Sequence, residues 1–169
     1  MPRLPITTGR WGALGLLAAL MVLPAQAATP DQLVDRLQRE RVVQDAAKEY
    51  SAMARGAMLY HLCPKEYGVD TQKTAFFTRM FNVVSRYYMD AYAVAHKTVM
   101  GKLPGKDVIA AYSQRIAAQQ AEVKAKLGET IQRYGCLSNA LMRLDGYWNK
   151  VRANENDYTK QFTIKKQES

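Results

Sequence analysis

Residues 76–99 read FFTRMFNVVSRYYMDAYAVAHKTV, and their apolar positions fall on two stripes at helical spacing. Phe77, Phe81, Val84, Tyr88, Tyr92, Ala95 and Val99 make one stripe. Phe76, Met80, Val83, Tyr87, Ala91 and Val94 make a second, rotated around the same axis. Only a narrow polar strip of Asn82, Arg86, Asp90 and Lys97 remains. A helix this apolar is either central to a helical domain or covered by a partner. Asp70 or Thr71 can cap its start, and Gly101 followed by Pro104 stops it near Met100.

Upstream, Thr29, Pro30 and Gln32 form a helix start with a capping box and a proline at the first helical position. Leu33, Leu37, Val43, Ala47, Tyr50, Ala54, Ala57 and His61 then recur at threes and fours. That pattern predicts one long helix ending at Leu62 or Cys63, before Pro64, with Gly56 as the point where it could bend. Cys63 to Asp70 reads as a loop.

Downstream, a third helix is expected from about Asp107 to Tyr134, with one narrow apolar edge interrupted by Gln119 and Gln120. Gly135 stops it. A fourth helix follows from Cys136 or Ser138 to Ala153, carrying Leu137, Leu141, Leu144, Trp148 and Val151. Residues 154–169 read as a mobile tail, with Tyr158, Phe162 and Ile164 as the side chains that could dock it. The expected fold class is all-α: an antiparallel four-helix, bundle-like domain over residues 28–153.

Residues 1–27 read as a cleavable export signal. Arg3 and Arg10 charge the first ten residues, Trp11 to Leu23 is uncharged, and Pro24 precedes Ala25-Gln26-Ala27. The apolar run rises only ~20 Å as a helix, too short to cross a ~30 Å hydrocarbon core. The formal net charge of the whole chain is +9, and cleavage removes two of those charges. The remaining excess favours an acidic partner, a phospholipid headgroup layer or another polyanion. Export disfavours nucleic acid, and no nucleic-acid recognition motif is present. The expected location is the periplasm or the medium.

The two cysteines, Cys63 and Cys136, suit an oxidising compartment. In an up-down-up-down order the first and third helices end at one pole, which brings Cys63 and Cys136 together as a disulfide. Their spacing is not that of a metal site, and His61 and His96 are too few to complete one. No Glu-x-x-His pair or C-x-x-C-H motif supports a di-metal or covalent haem centre. His61 and His96 are expected ~37 Å apart along the axis of the second helix. Nucleophile elbows, Gly-rich phosphate loops and zinc-protease motifs are absent. The carboxylates Glu40, Asp45, Glu49, Glu122 and Glu129 fall on solvated faces, and Asp90 can pair with Arg86.

The remaining candidate is a surface. Met80, Arg86 and Tyr87 lie on one side of the second helix, and methionine, arginine and aromatics are enriched in interfaces. The competing expectation is that neighbouring helices bury this side. The functional expectation is therefore a non-enzymatic exported helical binding module without a cofactor, an inhibitor, an immunity protein or an envelope assembly adaptor. Its partner is an envelope protein or a second copy of the chain. A small-molecule or cofactor-binding helical bundle is the alternative. In size, export signal and disulfide use the chain is similar to exported helical immunity and inhibitor proteins of bacteria, a likeness of gross form that no motif carries. Mass spectrometry of the exported protein should find an N-terminus at Ala28 or within a residue or two of it. An intact Met1 terminus in the membrane fraction would overturn the export reading.

Overall fold

The computed structural model describes residues 28–68 and 70–162, and every regular element among them is a helix. They are α1 (Pro30–Leu37), α2 (Arg41–Leu62), α3 (Pro64–Tyr67), α4 (Thr71–Met100), α5 (Lys106–Tyr134), α6 (Asn139–Ala153) and α7 (Glu155–Lys160). No helix among the described residues is long and apolar enough to cross a membrane. The expected export signal and Ile164 lie outside them.

Local chemistry sets most boundaries. The Thr29 backbone N–H donates to Gln32 Oε1 at 3.1 Å while the Gln32 N–H donates to Thr29 Oγ1 at 3.3 Å, the reciprocal capping box read from the sequence. The Asp70 carboxylate accepts from the Lys73 N–H at 2.5 Å and starts α4. Gly101 ends α4 with φ of 68°, a left-handed cap that suits glycine.

The first helix breaks where no proline or glycine stands. Between α1 and α2 the Arg39 and Glu40 N–H groups bond back to Arg36 and Leu37, and Glu40 turns extended with ψ of 134° before α2 begins. Leu37 and Val43 are both buried. Six residues apart, they would lie ~120° apart around one straight helix. The break lets both enter the core, and Arg115 of α5 ties α1 down through Asp35 and Gln38. Gly56, the expected bend, instead lies inside an unbroken α2.

Contacts along α2 set the helix directions. Tyr60 meets Phe77 and Tyr50 meets Tyr88, so α4 runs antiparallel to α2. Gln119 meets Ala47 and Ser51 while Cys136 bonds Cys63, so α5 runs parallel to α2. Tyr60 donates to Asp145 at 2.6 Å and Gly56 faces Trp148, so α6 runs antiparallel. The Cys63–Cys136 disulfide, with Cα atoms 5.9 Å apart, joins the end of α2 to the α5–α6 turn as the cysteine placement predicts. On the chain-entropy account it stabilises the fold by about 4 kcal/mol.

Two expectations are corrected. The loop after Cys63 contains a helical turn, α3, whose Tyr67 hydroxyl donates to the Cys136 carbonyl at 2.5 Å. Residues 154–162 are docked rather than a free tail. Glu155 takes two hydrogen bonds from Arg79, each 2.8 Å. The Tyr158 ring packs edge-on against Trp148, and Phe162 is buried against Tyr158 and Tyr87. The sequence pattern hides this, since two aromatics among seven polar residues form no stripe of their own.

A β-carbon at Gly56 would overlap the Trp148 indole, whereas one at Gly128 meets open space. Gly56→Ala should therefore cost about 1–3 kcal/mol in urea unfolding, and Gly128→Ala should gain about 0.5–1 kcal/mol. Equal effects at the two positions would show that the indole does not hold this contact.

Candidate functional site

The residues singled out from the sequence do not gather into one site. Met80 is 1% exposed and belongs to the core, a correction to its expected place on a surface. Arg86 is exposed. Tyr87 is half-buried, its ring 5.4 Å from that of Phe162. Most of the rotated stripe of α4 is thus covered by the chain itself: Phe76, Met80 and Ala91 are buried and Phe162 packs on Tyr87, while Val94 stays exposed. Cys63 and Cys136 lie beside Glu66, but both sulfurs are spent in the disulfide and offer no thiolate to a metal or substrate.

The histidines are far from any shared chemistry. His96 is buried at the end of α4, where its Nδ1–H donates to the Lys102 carbonyl at 2.8 Å. His61 is exposed near the disulfide pole. The tyrosines form a packed column through the core. Tyr88 stacks on Tyr92 at 5.2 Å, and Tyr92 stacks on Tyr112 at 4.5 Å. The Tyr88 hydroxyl donates to Gln119 Oε1 at 2.7 Å, and the Gln119 amide donates to the Ala47 carbonyl and to Ser51 Oγ. Gln119, an interruption in the apolar edge of α5, is thus the polar joint between α2, α4 and α5.

From that joint toward the disulfide pole α4 and α5 part, and an open groove of about 880 Å³ lies between them. Ala54, Ala57 and Met58 of α2 form its floor. Phe77 and Phe81 of α4 make one wall, and Ala117 and Ala121 of α5 make the other. The small α5 side chains are why the space stays open. Lys73, Lys124 and His61 stand on the rim, and no carboxylate lines it. The Lys73 ammonium donates to the Tyr67 carbonyl at 2.7 Å and lies 4.9 Å from the Tyr60 ring centre, so it is held in place. The groove escaped the sequence reading because its residues come from three helices whose spacing only packing decides.

A second groove of about 970 Å³ runs along the other flank of α5, toward α6. It is more polar, with Arg55, Arg115 and Lys126 beside Glu122, and the Lys126–Glu122 pair is bonded across one turn. Compared with protein families, curated proteins and solved structures, the chain matches none.

Burial raises the tyrosine hydroxyls, with Tyr50 and Tyr112 pushed up to about 12. Such groups stay neutral and pack. The folded state then holds their protons more tightly than the unfolded state, whose tyrosines ionise near 10. Their stabilisation is complete below pH 10 and is lost as pH rises toward 12. The melting temperature should fall steadily across that window, with tyrosine absorbance changing at the unfolding step. A flat melting temperature across it would contradict the burial argument.

Proposed function

We propose that this chain is an exported, non-enzymatic helical binding module whose four long helices form a bundle-like scaffold for the groove between α4 and α5. The observation that carries this reading is the groove's chemistry: an apolar floor, aromatic and alanine walls, two lysines and a histidine on the rim, and no carboxylate. An acidic amphipathic helix of an envelope protein fits that chemistry. Its apolar face would lie on Met58, Phe77 and Phe81, and its carboxylates would meet Lys73 and Lys124. Inhibitor, immunity protein and assembly adaptor all remain forms of this one activity.

Several features support export. The N-terminal pattern is that of a secretory signal. A Cys63–Cys136 disulfide is compatible with an oxidising compartment, as is the lack of a membrane-spanning helix among the described residues. The groove volume also falls within the range of small-ligand sites, so a small-molecule occupant is the second reading. Such a molecule would co-purify and be released on denaturation.

Ala121→Glu and Lys124→Glu test the proposal, since both residues are exposed on α5 and neither is core. An envelope partner retained by the unaltered protein should bind each variant at least tenfold more weakly, because an acidic partner then faces a like charge. Arg55→Ala, in the second groove, should leave binding unchanged. Equal retention by all of them, at unchanged melting temperature, would move the binding site elsewhere.

A further inference from the structure

The turn between α4 and α5 has a character that the groove does not share. Leu103 is 72% exposed, and Met100 and Ile109 beside it are 43% and 41% exposed. Three exposed lysines, Lys97, Lys102 and Lys106, share the segment 97–109 with a single carboxylate, Asp107. Isolated surface leucines are ordinary. What distinguishes this one is that the backbone holds it out.

Three constraints fix the turn. Gly101 adopts φ of 68°, and its N–H donates to the Lys97 carbonyl at 2.9 Å. The buried His96 donates from Nδ1 to the Lys102 carbonyl at 2.8 Å. Pro104 restricts the backbone immediately after Leu103. The backbone on both sides of Leu103 is therefore restrained, which lowers the chain entropy that docking would cost there.

We infer that this turn docks the protein on an anionic lipid bilayer, with Leu103 entering the headgroup boundary and Lys97, Lys102 and Lys106 meeting lipid phosphates. The turn joins the ends of the two longest helices, and its most exposed large apolar residue, Leu103, stands among cations. A soft, negatively charged plane accommodates that shape. Met100 and Ile109 widen the apolar contact as the turn settles. Each lysine beside an anionic surface adds roughly fivefold to partition, and that gain fades with salt. The surface lies away from the groove, at the pole opposite the disulfide, so a docked protein keeps the groove free for its partner.

The test is sedimentation of the purified protein with vesicles of mixed phosphatidylglycerol and phosphatidylethanolamine, against vesicles of phosphatidylcholine alone. Binding should be confined to the anionic vesicles and should weaken as salt is raised. Leu103→Asp should lower partition about tenfold or more. A Lys102→Glu, Lys106→Glu double variant should do the same and flatten the salt dependence. Both variants should melt at the unaltered temperature, since these side chains are exposed. Lys124→Glu, in the groove, should bind vesicles as the unaltered protein does, which separates this inference from the groove proposal. Equal sedimentation of the Leu103→Asp variant, or no sedimentation of the unaltered protein, would overturn it. So would a lipid-free dimer that Leu103→Asp dissolves and vesicles do not compete with, because the turn would then be a contact between copies.

Discussion

The Trp148 indole packs on the bare backbone of α2 at Gly56, and three more rings converge on it. Phe77 of α4 lies 5.6 Å away, Tyr147 of α6 4.9 Å and Tyr158 of α7 5.9 Å. A fully buried tryptophan removes more apolar area from water than almost any other side chain can. Here it does so only because position 56 has no side chain. Because the indole sits this close, α6 comes down onto α2 while also touching α4. From α6 the chain continues through α7 to Phe162, which packs on Tyr158 and closes over Tyr87. The surface that would otherwise flank Met80 and Tyr87 is thereby used up inside the protein.

The opposite side of α2 is built differently. There α5 rests on a narrow edge, joined by the Gln119 hydrogen bonds at its middle, by Arg115 to α1 and by the disulfide at its end. Elsewhere its faces are alanine, glutamine and lysine, and α4 leaves its side beyond Tyr88. Two grooves follow from that arrangement, one on each flank of α5. The aromatic half of the molecule is dense and closed, and the α5 half is open. Open space belongs to this half for a physical reason: small side chains on one helix leave room that large ones on its neighbours cannot fill.

Carboxylates act structurally on both halves. Glu155 meets Arg79 and Asp145 accepts from Tyr60 and Asn149 on the closed side, while along α5 Asp35 meets Arg115 and Glu122 meets Lys126. Around the α4–α5 groove and on the α4–α5 turn the balance is cationic. An excess of base over acid in composition says nothing of where it lies; the packing of α2 against α4 and α5 leaves the α4–α5 groove with two lysines and no carboxylate.

Features governed by neighbours within one or two turns were legible in the residues themselves. The capping box at Thr29, the Asp70 cap, the Gly101 stop and the spans of α4, α5 and α6 each follow from contacts a few residues apart. The Cys63–Cys136 bond was legible too, because helix count and alternating direction bring those ends to one pole. Tertiary structure decided the rest. The break at residues 38–40 answers to the burial of Leu37 and Val43, not to a local breaker. Met80 is core, and residues 154–162 are docked because Trp148 and Phe162 meet α4 from far along the chain, with Tyr158 packed on both. The groove exists only where three helices meet at distances set by the bulk of every side chain between them. Hydrogen bonding within a turn is written in consecutive residues, whereas the fit of one helix face to another depends on residues that the chain brings together only by folding.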